Sequence, residues 1–321
     1  MELLYKKIIQ KELQQLEDML SSSISSDINL ATEVSQYVVG SGGKRIRPVI
    51  CILVAKMLNY KGSELIKLAS SIELLHTATL IHDDVVDQSS TRRGKESIHK
   101  KWDNSHGVLV GDFVYSKAFQ LMASLDNSEI IRILADSTNR ISEGEVLQLA
   151  LKKREVLSKK DYFEIIDRKT AELFKASVVS AGSLASCNKK ELISLTNFAV
   201  SLGNNFQIKD DLLDYFGDEE LTGKKLGKDF EEGKFTLPLI IALPLMSEKH
   251  KSMILDTIFG NNKSDFKEII KIIKDTGAIE SVEKICNKFS ETCLKELMNF
   301  PDSDYKTALI NITENINTRV S

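Results

Sequence analysis

An all-helical fold is predicted by three features of this 321-residue chain. Its four prolines, Pro48, Pro238, Pro244 and Pro301, leave long uninterrupted stretches between them. Those stretches are dominated by Leu, Ile, Lys and Glu, which lose little side-chain freedom in a helix. No segment alternates apolar and polar residues in the manner of a half-buried strand. With 42% hydrophobic residues there is ample material for a core. Nothing rich in Pro, Gly or Ser divides the chain and no repeat at a period of about 20–50 residues recurs, so residues 1–321 read as a single all-helical domain.

Composition removes several function classes. A net charge of −3 carries none of the basic footprint of a nucleic-acid binder. Cys51, Cys187, Cys286 and Cys293 show neither CxxC pairing nor a histidine at zinc-ligand spacing, and read as buried thiols in a reducing cytoplasm. The opening residues lack the apolar core of a secretory signal. The most apolar run, LPLIIALPLM at 237–246, is too short for a bilayer and holds two prolines, so no transmembrane segment is expected.

Taken in order, MELLYKKIIQKELQQLEDML is an amphipathic helix, and a Ser-rich link from Ser21 to Ser26 leads to a second helical segment ending near Val39. GSGGKRIRP follows at 40–48. Its glycines permit a tight backbone path, Lys44, Arg45 and Arg47 concentrate positive charge, and Pro48 suits the first turn of the next helix. A helix start with free N–H groups and three nearby cations is suited to phosphate.

Helices are expected over 49–60 and 64–88. The second is apolar on most of its circumference, as a deeply buried helix is, and it ends in Asp83, Asp84 and Asp87. Residues four apart on a helix stand one above the other, about 5–6 Å between β-carbons, so Asp83 and Asp87 point the same way. Three carboxylates at the end of a buried helix need cations. Arg92 and Arg93 supply part of the charge, and Mg²⁺, which takes oxygen ligands from one or two carboxylates and from substrate phosphates, would supply the rest. His76 lies two turns before Asp83 on the same face, which marks it as a ligand-facing residue; His82 reads as structural.

Residues 107–125 restore helical periodicity with Phe113, Tyr115 and Phe119, and helices continue over 127–152, 158–184 and 188–215, interrupted at Gly144 and Gly182. Lys169 and Thr170 fall inside an otherwise apolar helix; a lysine that points at a shared cavity instead of outward is a phosphate clamp. The segment NNFQIKDDLLDYFGD then writes the first triad's spacing again as Asp210, Asp211 and Asp214, which suggests two walls of one site. Beyond it FGDEELTGKKLGKDFEEGKFTLPLI, with Lys224, Lys225, Lys228 and Lys234, reads as a mobile polar loop. Helices over 236–260, 263–276, 277–300 and 303–318 complete the chain without recognisable chemistry.

With these segments in place, the chain resembles the trans-isoprenyl diphosphate synthase family from about residue 36 to 245, in GGKRIRP, HTATLIHDDVVD, TRRG, GDFVYSKAF, GEVLQL, KTAELF, FQIKDDLLDYFGD and GKDFEEGKFTLPL. The DDxxD leading directly into SSTRRG looks like the longer-chain branch, near the octaprenyl synthases. The resemblance implies an isoprenoid-synthase-type helical bundle around a deep central cavity, a homodimer, and three Mg²⁺ ions, for which Mn²⁺ can substitute. Matched by position, Asp83 and Asp87 hold two metals with Asp84 in support, and Asp210 holds the third with Asp211 and Asp214 behind it. Arg92, Lys169, Gln207 and Lys224 contact an allylic diphosphate, Thr170 sits near its reacting end, and Lys234 is a further substrate-binding residue. Lys44, Arg47, His76 and Arg93 bind isopentenyl diphosphate. Small residues at Ala78 and Thr79 leave the floor of the chain-length pocket open and move the limit to Phe119 and Met122.

The activity so implied is condensation of farnesyl diphosphate with successive isopentenyl diphosphates to a product of about C40, for a quinone side chain. Peripheral contact with a membrane serves product release. Metal and basic side chains neutralise the departing diphosphate, so no protein nucleophile is required. The alternatives are a geranylgeranyl (C20) synthase, a class I terpene cyclase, against which GGKRIRP and His76 argue, and a non-catalytic synthase subunit, against which the two intact triads argue.

Overall fold

The computed structural model describes residues 4–152, 156–217, 226–260 and 266–319. Helices α1 (Leu4–Ile8), α2 (Gln10–Ser23), α3 (Asn29–Val39), α4 (Ile46–Met57) and α5 (Glu64–Val86) come first. A two-residue hairpin follows, β1 (Thr91–Arg92) antiparallel to β2 (Lys95–Glu96), where no strand was expected. Its turn carries Arg93 and Gly94, both at positive φ, and the strands are too short for any alternation to register in sequence.

Next come α6 (Ile98–Lys101), α7 (Asn104–Ala123), α8 (Ser128–Leu151) and α9 (Lys159–Ile166), then a π-helical turn over Asp167–Ala171 that runs directly into α10 (Glu172–Leu184). The expected helix over 158–184 is therefore one rod with a wider turn in it, and the expected breaks at Gly144 and Gly182 do not occur. Helix α11 (Lys189–Phe216) carries the second acidic triad. It is followed by α12 (Lys228–Glu231), α13 (Leu237–Ala242), α14 (Glu248–Ile258), α15 (Phe266–Asp275), α16 (Ala278–Leu297) and α17 (Asp304–Asn317). The single helix expected over 236–260 is broken: Pro244 lacks an N–H and crowds the preceding turn, so the chain tightens into a 3₁₀ turn at Leu243–Leu245 before α14 begins.

The chain's contacts group into two compact units. The first comprises Met1–Thr138, Leu173–Thr196 and Leu297–Asn311, and its centre is α5, packed by α2, α4 and α7. Leu68, Ile72, Leu74, Leu75, Ala78 and Ile81 of α5 are buried on nearly every side, as the apolar circumference predicts. Burying each Leu or Ile contributes about 1.5–3 kcal/mol, so the helix has one stable depth and places its acidic end reproducibly.

The second unit comprises Asn139–Glu172, Asn197–Glu296 and Ile312–Ser321. Tyr162, Ile165, Ile166, Ile208, Leu212, Leu237, Ile240 and Val282 form one apolar cluster. Tyr215, Phe230, Leu239, Ile254, Ile269 and Ile273 form another. Between them these clusters fix the last turns of α11 against α9, α12 and α13. Among the described residues no helix is long and apolar enough to cross a membrane.

Candidate active site

In the first unit the acidic triad closes α5. Asp87 is the C-cap, its N–H donating to the Asp83 carbonyl at 2.8 Å. A helix C-terminus already carries partial negative charge, so carboxylates here call for a cation. The three respond differently. Asp84, only 5% exposed, accepts a forked pair of bonds from Arg92, 2.6 Å from Nη2 and 3.0 Å from Nε. It holds that guanidinium by charge-assisted hydrogen bonds. Asp83 and Asp87 are partly exposed, one turn apart on the same face. Among the described residues no three His, Cys, Asp or Glu side chains converge at metal-ligand spacing. Asp83 and Asp87 therefore fit a hard cation that uses one or two protein carboxylates and fills its shell with phosphate oxygens and water.

The basic segment before α4 divides its three cations. Arg45, at φ 46°, turns inward to Glu17 (2.9 Å), Glu73 (2.8 Å) and the Val39 carbonyl (2.8 Å), and is a structural residue. Arg47 is buried, its guanidinium 4.6 Å from the Phe174 ring and 3.1 Å from His76 Nε2. Burial and the Arg47 charge push the His76 imidazole well below the ordinary histidine range, so His76 is neutral and accepts from Arg47. Lys44 is exposed. Gly42 and Gly43 lie at φ 72° and 145°, and Gly43 makes room for Arg93, which donates to the Gly42 carbonyl; a β-carbon on Gly43 would meet the Arg93 guanidinium at 2.9 Å. Sequence shows a flexible glycine turn; structure shows a berth for an arginine from the TRRG loop.

Further down α5, Ala78 is fully buried and the Thr79 hydroxyl donates to the His76 carbonyl at 2.8 Å. On α7, Met122 is buried, whereas Phe119 is exposed and meets the Tyr115 ring edge-on at 5.0 Å.

In the second unit, Lys169 and Thr170 lie on the π turn. That turn is pinned to α8 by ion pairs: Arg140 to Asp167 (2.9 Å) and Glu172 (3.0 Å), Arg168 to Glu143 (2.7 Å), and Lys169 to Glu145 (2.7 Å). Gly144 is the point of closest approach, where a β-carbon would stand 2.7 Å from Arg168 Cβ. Thr170 Oγ1 donates to Gln207 Oε1 at 2.8 Å, and Gln207 Nε2 donates to Asp211 at 2.9 Å.

The second triad is also divided. Asp210 pairs with Arg319 at 2.7 Å. Asp211 is 3% exposed and takes a 2.5 Å hydrogen bond from Tyr162; burial, and then the Asp229 charge, push its carboxyl up to about 8. Asp214 accepts from the backbone N–H groups of Lys228 (3.2 Å) and Asp229 (3.0 Å), and burial and Asp229 raise it to about 6. Lys234 pairs with Glu232 at 2.7 Å. Lys224, expected on the diphosphate, lies outside the described residues. Tyr162 and Arg319 escape the sequence reading because Tyr162 sits in a stretch whose pattern is wholly helical and Arg319 follows the last helix, and Glu145 lies inside GEVLQL without a role of its own in that reading; only the fold brings each to a motif residue.

A model of the family described as "Polyprenyl synthetase" matches residues 28–276. The octaprenyl diphosphate synthase of Escherichia coli (strain K12) is 38% identical over 290 residues, 90% of each chain. The all-trans-nonaprenyl-diphosphate synthase (geranyl-diphosphate specific) of Rhodobacter capsulatus is 40% identical over 302 residues, 93% of this chain and 92% of the relative. Among solved structures, a polyprenyl synthase from Caulobacter crescentus CB15, complexed with calcium and isoprenyl diphosphate, superposes with a TM-score of 0.94 at 32% identity, covering 99% of this chain and 98% of that one. The all-α isoprenoid synthase fold and these sequence matches agree, and the chain belongs to the polyprenyl synthetase family of trans-prenyltransferases.

Proposed function

We propose that this protein is a Mg²⁺-dependent synthase that condenses farnesyl diphosphate with successive isopentenyl diphosphates into an all-trans polyprenyl diphosphate of about C40, for a quinone side chain. The observation that carries this reading is the division of labour at the end of α5: Asp84 fixes Arg92, leaving Asp83 and Asp87 on one face of a helix C-terminus. Relatives named for octaprenyl and nonaprenyl products support the long chain, and a neighbour complexed with calcium and isoprenyl diphosphate supports a divalent metal.

In this reading Asp83, Asp87 and Asp210, with Asp211 and Asp214 behind, belong to the metal sites, three Mg²⁺ in all. When bound, the metal supplies charge neutralisation for the departing diphosphate. Arg92, Lys169, Gln207 and Lys224 grip the allylic diphosphate, Lys44, Arg47, His76 and Arg93 the isopentenyl one, and Lys234 is a further substrate-binding residue. A neutral His76 leaves its neighbour Arg47 fully charged for an anion. Apolar walls keep water from the allylic cation, to which the isopentenyl double bond adds before a proton leaves to the released diphosphate. The enzyme acts in the cytoplasm as a homodimer of one all-helical domain per chain, 1–321, touching a membrane only to release product.

Purified protein incubated with Mg²⁺, farnesyl diphosphate and labelled isopentenyl diphosphate should extend the label to a product near C40, and excess chelator should abolish it. Full turnover in chelator, or a product that stops at C20, refutes the metal or the chain-length assignment respectively.

A further inference from the structure

The hairpin that carries Arg92 and Arg93 is held shut by residues outside it. Its turn is Arg93 and Gly94, at φ 52° and 75°, the left-handed pair that a tight hairpin turn demands and that Asn or Gly ordinarily supplies. An arginine in that conformation is strained, and such strain persists only where the surroundings over-determine it. Two short strands do not suffice alone. Ser97, 2% exposed, binds two successive carbonyls at the hairpin's base: its N–H donates to Ser90 at 3.0 Å and its hydroxyl to Ser89 at 2.6 Å. Ser97 is also the N-cap of α6, where a serine hydroxyl ordinarily accepts from the helix's own N–H groups; here it makes no such bond. The Ser89 carbonyl has no proton to give, so the hydroxyl's goes there, and His99 Nδ1, 3.1 Å from the same oxygen, must donate to it whether or not the ring is charged. His99 is buried and its Nε2 has no partner among the described residues, so the ring's polar contact is the one that locks Ser97. Along β2, Tyr37 of α3 donates to the Glu96 carbonyl at 3.0 Å; its ring lies 3.9 Å from Lys101 Nζ and meets the Trp102 ring edge-on at 5.3 Å.

From this geometry we infer that Ser97, with His99 behind it, and Tyr37 are positioning residues for the prenyl transfer: they hold the turn closed so that Arg93 is aimed at the isopentenyl diphosphate. The inference deepens the proposed function and rests on its placing of Arg93 on that substrate. Arg93 needs the support because it sits in the turn itself. Among the described residues its guanidinium reaches one acceptor, the Gly42 carbonyl, so the backbone of the turn decides where the charge lies. Arg92 stands instead on the rung opposite Lys95 and is less exposed to any loosening. Tyr37, Ser97 and His99 all lie outside the segments that sequence marks for chemistry.

Steady-state kinetics separates aiming from folding, since a misfolded fraction lowers the apparent kcat and leaves KM alone. Ser97→Ala removes the hydroxyl and keeps the N–H. It should raise the KM for isopentenyl diphosphate about tenfold, with kcat and the KM for farnesyl diphosphate within about twofold of the wild type. Tyr37→Phe, which keeps the ring, should raise the same KM. In an Arg93→Ala background Ser97→Ala should then raise it by less than about twofold, because the group it aims is gone. If either variant leaves the KM for isopentenyl diphosphate unchanged while Arg93→Ala raises it, or if the effects of Ser97→Ala and Arg93→Ala multiply, the inference is overturned and the role of Arg93 stands. If Arg93→Ala leaves that KM unchanged, the proposed placing of Arg93 fails, and the inference with it. Should Ser97→Ala not fold, Tyr37→Phe is crossed with Arg93→Ala and judged in the same way.

Discussion

His76 shows how far single residues can be read. Its spacing from Asp83 marks it in the sequence, but its charge state follows only from its neighbours: Arg47 at 3.1 Å and an enclosed position, which together depress its pKa. A histidine depressed in the folded state contributes stability that is complete above its unfolded pKa of about 6.5 and is lost as pH falls towards the folded value. His76→Gln keeps an acceptor for Arg47 and does not titrate. The stability of the wild type relative to this variant should therefore fall by about 1.4 kcal/mol per pH unit below 6.5. Chemical denaturation of both proteins between about pH 7.5 and 5 measures it, and a difference that stays constant with pH would contradict the assignment. The neighbouring cations show the limit of the same reading. Lys44, Arg45 and Arg47 are equivalent as letters, yet Arg45 is consumed by Glu17 and Glu73, from two other helices. No local pattern can announce a partner 28 positions away.

At the scale of elements, the existence of the helices was legible, because periodicity and the scarcity of proline are local properties. Their irregularities were not. The π turn at Asp167–Ala171 has the composition of ordinary helix, and what stabilises it is the row of partners on α8, Arg140, Glu143 and Glu145. Gly144 sits within that row, so it is a contact residue in an unbroken helix and not the interruption that its identity suggests. Gly144→Ala should destabilise the protein by about 1–3 kcal/mol even though alanine is the better helix former, because the added carbon meets Arg168. Urea midpoints decide the sign; a stabilised variant would mean that α8 and the π turn part without cost.

For the whole molecule, chain length is the property to predict. Thr79 is partly exposed on α5 and Ala78 is fully buried, so the two candidate floor residues are not equivalent. Thr79→Phe should shorten the product towards C15–C20 with the first condensation still fast, since only depth changes. Ala78→Phe should shorten it too, but with a loss of about 1–3 kcal/mol of stability from overpacking. Product sizing alongside thermal unfolding tests both, and an unchanged product from an active Thr79→Phe enzyme would remove this helix face from the tail's path. Fold class and both acidic triads could be read from sequence because they are written as spacing. The fate of each carboxylate could not: Asp84, Asp211 and Asp214 each answer to Arg92, Tyr162 or a backbone segment supplied by another part of the chain.

The π turn also sets a rule for length. Its hydrogen-bonded ring holds one residue more than an α-helical ring. Deleting any residue from Asp167 to Ala171 would leave good helix behind, yet it would rotate the side chains before the cut by about 100° against those after it. Arg140 and Glu143 would then face the wrong partners, and Thr170 would lose Gln207. A chain one residue shorter here would keep a helix and lose this pairing with α8.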